Sequence, residues 1–399
     1  MKLSKLGRIT LASVVSFGLG FGVVACGPPN TIDFVYVTSS KQNPGQINAY
    51  KVDSQAGALI QLSGSPYLSG GANPIADVSS PNGKNLYVLN HDSNTVVEFA
   101  IDTNGTITNQ QSCTTPGSSP IQLSINKAGT YLYVVETYQP GHNANNPGPG
   151  ALVVYPVNAN GQLGASSSLC TPVANGSNGF FPVGNNPAAV NVVASRTYVY
   201  AVNQSDATLS GFQVGSSGSL TAIGTFPIGV APNAVASDPT SRWLYVTDGA
   251  ANQMIGFQIQ LNGTLVPLQT PFKTDNLPDS VQVDPRGIYV YVANYNANDV
   301  SAYTIDRTTG NATQISGATA YAVDAGPTCI LIDPAEARFV YTSNFLGNTV
   351  SGFTLNPATG ALTGVQNTPF KAAGQPTCGA AIAHGNHAIE VIQPCLFYP

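Results

Sequence analysis

The stretch Ser280-Val281-Gln282-Val283-Asp284-Pro285-Arg286-Gly287-Ile288-Tyr289-Val290-Tyr291-Val292-Ala293-Asn294 decides the fold. Residues 280–284 form a short apolar segment, strand A, which ends on Asp-Pro. Pro285-Arg286-Gly287 supplies a turn. Residues 289–293 form a second apolar run, strand B. Residues 294–298 are an Asn-rich loop, and residues 300–305 alternate apolar and polar as strand C. Arg307-Thr308-Thr309-Gly310 turns the chain into a weaker strand D at 312–315. Period-two alternation broken by Gly, Asn and Asp is the signature of short antiparallel strands.

The same unit recurs along the chain. Its tag is Tyr36-Val37-Thr38-Ser39, Tyr87-Val88-Leu89-Asn90, Tyr133-Val134-Val135-Glu136, Tyr200-Ala201-Val202-Asn203, Tyr245-Val246-Thr247-Asp248, Tyr291-Val292-Ala293-Asn294 and Tyr341-Thr342-Ser343-Asn344. The tyrosines are spaced by 51, 46, 67, 45, 46 and 50 residues, the long gap holding insertions at 138–150 and 172–182. Four strands per repeat of this length predict an all-β, seven-bladed β-propeller of four-stranded antiparallel blades. The first unit begins at strand B (34–40). Its missing strand A is expected at 376–382, so a C-terminal strand joins the N-terminal blade and closes the ring. Residues 387–393 read as one strand beyond that count.

Composition narrows the function. Only 8% of the 399 residues are charged and the net charge is −5, against a usual charged share of ~25%. No basic run exists to neutralise phosphates, which excludes nucleic acid as a partner. Gly 41 and Pro 29 exclude a helical bundle. At the N-terminus, Lys2, Lys5 and Arg8 precede an apolar run over 9–25, and Val23-Val24-Ala25-Cys26 ends it. A small residue before Cys at that place resembles the lipobox of bacterial lipoproteins. The expected organisation is therefore a signal peptide at 1–25, a lipidated Cys26 with a linker to residue 33, and one propeller domain at 34–399. The resemblance implies a membrane partner through the lipid on Cys26. Gly27 after the Cys points to the outer membrane, with the propeller facing the periplasm or the surface.

The Asp-Pro ends (Asp238-Pro239, Asp284-Pro285, Asp333-Pro334) and the Thr-Gly turns (Thr309-Gly310, Thr359-Gly360), added to the tyrosine tags, resemble the seven-bladed lactonase-like propellers. That family includes 6-phosphogluconolactonases and overlaps with YVTN surface repeats. The resemblance spans residues 34 to 383 and implies a fold rather than an activity.

Strand order places the B–C loops and D–A connections on one face, the top. The long insertion 138–150 lies there, with Ser39, Asn90, Glu136, Asn203, Asp248, Asn294 and Asn344 at the strand B ends. Asn90, Asn203, Asp248, Asn294 and Asn344 are candidate ligand contacts, together with Asp279 and Asn233 at the channel mouth. The competing reading is that such residues cap turns. Glu136, His142 and His91 are the only candidate catalytic set, since lactone hydrolysis needs a base and an oxyanion stabiliser. The resemblance implies Arg and His at the strand A starts, but here those positions hold Ile75, Ile121, Ala188, Asn233, Asp279, Thr328 and Thr377. The arginines Arg196, Arg242, Arg286, Arg307 and Arg338 all fall in or beside bottom turns.

His384-x-x-His387 lacks further ligands at metal spacing, so no metal and no cofactor are expected. With Cys26 lipidated, five cysteines remain. Cys329 and Cys378 occupy equivalent Pro-Thr-Cys positions in adjoining blades and are a possible disulfide; Cys113–Cys170 is a second pairing by the same logic, and Cys395 is left over. Two functions follow. One is a lipid-anchored binding or interaction scaffold for a polar small molecule, carbohydrate or protein. The other is a lactone hydrolase or cyclising enzyme with its site at the top of the channel.

Overall fold

Strand B of each repeat is a near-continuous apolar run because it is covered on both faces. Asn85–Asn90, Tyr198–Asn203, Trp243–Asp248, Tyr289–Asn294 and Phe339–Asn344 are buried at every residue. A strand sandwiched this way cannot alternate apolar with polar. The computed structural model describes residues 31–41, 43–269, 271–315, 320–334 and 336–384; the lipobox at Cys26, the strand expected at 387–393, His387 and Cys395 lie outside them.

The described residues form an all-β ring of seven antiparallel blades. The seven inner strands, A, are Pro376–Ala383 (blade 1), Pro74–Ser79, Ser118–Ile125, Pro187–Val192, Pro232–Ser237, Pro278–Val283 and Pro327–Ile332. Blade 1 is closed as expected: Pro376–Ala383 pairs antiparallel with the first strand of the chain, Thr31–Ser39, with Phe34 opposite Ile382. That first strand begins three residues before the expected start. Four blades complete their outer edge with two short pieces rather than one continuous strand, as where Ala312–Gln314 and Tyr321–Ala322 both pair with Asp299–Ile305.

The core is divided. Seven buried clusters lie one at each blade junction, including the junction of blade 7 with blade 1, where Val35 and Val37 meet Leu331, Phe339 and Val350. No blade can bury its own faces alone, so stability is shared between neighbours.

A polar latch accompanies each apolar seam. The tag tyrosine reaches across the junction and its hydroxyl donates to the backbone carbonyl of the glycine in the next blade's C–D hairpin. Tyr36 bonds Gly105 (2.7 Å), Tyr87 bonds Gly161 (2.7 Å), Tyr200 bonds Gly263 (2.6 Å), Tyr245 bonds Gly310 (2.8 Å), Tyr291 bonds Gly360 (2.8 Å) and Tyr341 bonds Gly57 (2.8 Å). The last of these closes blade 7 onto blade 1. At the junction of blades 3 and 4 Tyr131, two residues before the tag, donates to the Ser216 carbonyl (3.2 Å), as Tyr198 does to that of Leu261 and Tyr289 to that of Pro357 beside their tag tyrosines. The hairpin residue has to be glycine for two reasons. Gly310 has φ +77°, and a Cβ there would stand 2.4 Å from the ring of Trp243. Trp243 lies two residues before the tag tyrosine, and Phe34, Tyr131, Tyr289 and Phe339 cover their own hairpin glycines from the same position.

The underside is clamped by the cations. Each Asp of Asp-Pro holds its A–B turn: Asp284 accepts from the backbone N–H groups of Ile288 (2.7 Å) and Tyr289 (2.8 Å), and Asp238 from those of Arg242 and Trp243 (both 2.7 Å). The neighbouring arginines then bond across junctions. Arg196 donates to the carbonyls of Ile259 and Gln260 (3.0 Å each), Arg338 to that of Ser54 (3.0 Å), and Arg242 to that of Arg307. Arg286 instead pairs with Asp284 at 2.7 Å.

The closing junction contains a second polar device. Asp33, fully buried, faces Asp333. Burial first, and then the Asp333 charge, raise its pKa from 3.8 to about 10. At neutral pH Asp33 is therefore a neutral acid held beside Asp333.

Two outcomes are expected. Tyr291→Phe leaves the Gly360 carbonyl without its donor and costs about 1–3 kcal/mol; Gly310→Ala, which adds backbone strain and a clash with Trp243, costs more. Denaturant titration checks both, and a neutral Gly310→Ala contradicts the latch. The second outcome concerns pH. The unfolded chain ionises Asp33 near 3.8, so the stability carried by the neutral acid is complete below that value and is lost as the pH rises towards 10. Asp33→Asn keeps a donor and does not ionise. It should melt above the parent at pH 8, with the gap closing by pH 4. A gap independent of pH contradicts the assignment.

Candidate functional site

Six of the seven inner strands start at a proline, the blade 3 strand carries Pro120 as its third residue, and each bulges just after its proline. In blade 6, Pro278 pairs with Asn294 and Ser280 with Ala293, which leaves Asp279 as the extra residue. Ile75, Ile121, Ala188 and Thr328 are the extra residues of their blades in the same way, and the irregularity spans Asn233-Ala234 in blade 5 and Thr377-Cys378 in blade 1. A bulge re-aims a side chain, and here the residues after the prolines line the axial mouth.

That mouth is a hollow of about 680 Å³. Its polar lining is Gln122, Asn186, Gln204, Asn233, Asp279, Ser280, Thr328 and Thr377, interleaved with Ile75, Ile121, Ala188, Leu277 and Phe345. Below it a further hollow of about 400 Å³ shares Gln122, Ala234, Ser280 and Cys378 with the mouth, so the two form one shaft. Among the described residues neither is lined by a Lys, Arg or His. Parts of the mouth are braced by hydrogen bonds between blades. Gln204 donates to Asn233 (2.6 Å), Asn233 to the Pro278 carbonyl (3.2 Å), Thr328 to the Thr377 carbonyl (2.7 Å) and Thr377 to the Pro74 carbonyl (3.0 Å). Asp279 is half-buried, and burial raises its pKa from 3.8 to about 6, so it is largely ionised at pH 7. Deeper in the shaft Asp77 stands where other inner strands carry Leu123, Val190, Val235, Val281 or Ile330. Burial pushes its carboxyl well above the ordinary range.

The two mouth candidates, Asp279 and Asn233, thus reach the hollow. The ring of strand B ends does not. Asn90, Asn203, Asp248, Asn294 and Asn344 are each 0% exposed. They tie down loops of the ring. Asn203 accepts from the Gly184 N–H (2.9 Å) and Asp248 from those of Val230 (2.9 Å) and Ala231 (3.1 Å). Asn90 donates to the Ser69 carbonyl (3.3 Å), while Asn294 donates to Ser301 and Asn344 to Ser351 (both 2.8 Å). Turn anchoring, and not ligand presentation, is what their amides do here.

The catalytic candidates are likewise engaged elsewhere. Glu136 is buried and accepts twice from the Gly117 N–H, at 3.0 and 3.2 Å, and burial raises its pKa to about 7. His91 Nδ1 lies 2.6 Å from Asp92, which also accepts from Asn73 (3.1 Å). The His142 carbonyl accepts from Ser118 (3.0 Å). Among the described residues no hydrogen bond or ion pair joins Glu136 to either histidine, and none of the three lines the mouth. Sequence reasoning placed Gln122 at the channel mouth without naming it a ligand contact, and left Gln204 and Asp77 out of the site. Asp77 carried a signal, being a carboxylate at an inner-strand position where the other repeats carry no charge. Among the described residues no three His, Cys, Asp or Glu side chains gather as a metal site.

Both cysteine pairings are formed. Cys329–Cys378 joins the inner strands of blades 7 and 1, with Cα atoms 5.1 Å apart. Cys113–Cys170, with Cα atoms 5.2 Å apart, has a different origin from the one its sequence position implied. Cys170 follows an extra hairpin of blade 3, Gly164–Ala165 with Ser168–Leu169, that folds onto the outer strand of blade 2. There Gln111 bonds Leu163 through both its amide atoms, at 2.7 and 3.1 Å.

A separate hollow of about 400 Å³ opens under blades 3 and 4 beside Tyr133, Lys127 and Arg196. Much of its lining is apolar and Arg196 is already bonded to two carbonyls, so the axial mouth is the better candidate.

Comparison with known proteins agrees with this geometry. No curated protein matches the chain by sequence. Among solved structures, the periplasmic gluconolactonase of Pseudomonas aeruginosa is 18% identical with a TM-score of 0.73, covering 89% of this chain and 100% of that one. A Bacteroides uniformis protein provisionally described as a 6-phosphogluconolactonase is 16% identical, TM-score 0.72, covering 88% and 100%. A Lactobacillus plantarum protein is also 16% identical, TM-score 0.71, covering 88% and 100%. These likenesses establish the fold alone. The family model for lactonase, 7-bladed beta-propeller, matches residues 34–180, 150–277 and 230–332, and the chain belongs to that family.

Proposed function

We propose that this propeller is a binding protein whose ligand is a small, hydroxyl-rich molecule of the carbohydrate class, seated in the axial mouth. The observation that carries this reading is the lining: amides and hydroxyls around one carboxylate, with no cation among the described residues. Amide and hydroxyl groups match sugar hydroxyls one for one. A phosphorylated sugar needs Arg forks or aligned backbone N–H groups, and the arginines are bonded into the underside instead. The lipobox-like sequence at Cys26 supports an extracytoplasmic, lipid-anchored location, and so do two disulfides, which persist in oxidising compartments.

One observation favours a second reading, hydrolysis of an unphosphorylated sugar lactone. Asp279 is a mouth carboxylate with its pKa raised to about 6, within reach of a general base role. The likeness to a periplasmic gluconolactonase supports the same substrate class.

Calorimetry on the purified full chain tests the proposal with two probes, gluconolactone and 6-phosphogluconate. The neutral probe should bind at least about tenfold tighter, a difference of ~1.4 kcal/mol. Tighter binding of the phosphorylated probe contradicts the proposal. Lactone turnover that disappears in Asp279→Asn selects the second reading over simple binding.

A further inference from the structure

Asp279 differs from its counterparts around the mouth. Thr328, Thr377 and Asn233, at the start of their inner strands, each donate a hydrogen bond to a carbonyl of the following blade. A carboxylate has no donor to offer. Asp279 therefore makes no such bond, and among the described residues no hydrogen bond or ion pair reaches its side chain at all. Among the described residues it is the only charged one lining the mouth, and the shaft beneath adds a second carboxyl, Asp77, 6% exposed and with neither oxygen hydrogen-bonded. The remaining side chains facing Asp279 from the flanking inner strands, Asn233 and Ala234 of blade 5 and Thr328 of blade 7, are neutral. A partly desolvated carboxylate with open acceptor sites and no cation of its own is an incomplete ion pair.

We infer that the ligand completes it: the mouth selects a polyhydroxylated amine, an amino sugar whose ammonium group bonds Asp279 while its hydroxyls meet the amides and hydroxyls of the rim. This rests on the reading of the mouth as the ligand site. An ammonium has three donors to distribute, and the Ser280 and Thr328 hydroxyl oxygens line the same wall as Asp279. A divalent metal fits less well. Calcium takes 6–8 oxygens, commonly with several carboxylates among them, and among the described residues no cluster of three acidic or other ligating side chains forms.

The test is calorimetry on the purified full chain at pH 7 with two matched probes, the trimer of glucosamine and its fully N-acetylated counterpart. The cationic trimer should bind at least about tenfold tighter. Asp279→Asn should bring that ratio close to one, with an unchanged melting temperature and circular dichroism spectrum showing that the variant is folded. Three results overturn the inference. If the two trimers bind equally and Asn233→Ala weakens both, the mouth is the site but does not read charge. If the preference survives in Asp279→Asn, the charge is read elsewhere. If neither trimer binds, the assignment of the mouth falls together with the inference.

Discussion

The ring depends on a hydroxyl-to-carbonyl contact repeated between blades. A four-stranded blade of this size has two apolar faces and no means of covering them, so a neighbour on each side is obligatory. Apolar packing supplies the attraction but is non-directional. The tyrosine hydroxyl supplies register. At six junctions it meets the carbonyl of a hairpin glycine in the next blade, and at five of these an aromatic ring lies where a Cβ on that glycine would stand. The pairing fixes how far each blade rotates against the last, and it is satisfied between blade 7 and blade 1 by Tyr341 and Gly57 as it is elsewhere. The same closing junction carries the Cys329–Cys378 disulfide and the pairing of the C-terminal inner strand with the first strand of the chain.

Low charge content follows from this arrangement and shapes the site. Most surfaces of a blade are interior, so few positions tolerate ions. The arginines are used where a guanidinium can reach carbonyls across a junction, on the underside, with Arg196 and Arg338 as the clearest cases. The mouth is left with neutral polar groups and a carboxylate. Architecture of this family is compatible with many ligands; among the described residues the mouth of this chain carries one carboxylate and no cation.

Much of this was legible in the sequence. The tyrosine tags, the Asp-Pro turns and the hairpin glycines announce themselves because each does a job that few other residues can do. Ring closure followed from a missing first strand and a surplus one. Two features were not legible for definite physical reasons. An Asn at a strand end serves equally well as a loop anchor or as a ligand contact, and the sequence does not say which way its amide faces; Asn203 and Asn294 turned inward. The hairpin that carries Cys170 to Cys113 is an insertion without counterpart in the other repeats, so equivalence between repeats gave no guide to where it would fold. Asp279 and Asn233 were found because position after proline marks the mouth, although the bulge that turns them there shows only in the pairing register.

The central claim is that interblade latches make seven blades one cooperative unit with no weak seam at the closure. Native-state hydrogen exchange in rising denaturant tests it most directly, because opening free energies are read blade by blade. The account predicts that strand B amides of blades 1 and 7, such as those of Val35 and Val340, exchange through the same global opening as those of Val246 in blade 5 and Val292 in blade 6. Exchange of blades 1 and 7 at a distinctly lower opening free energy, with the others still protected, would contradict it.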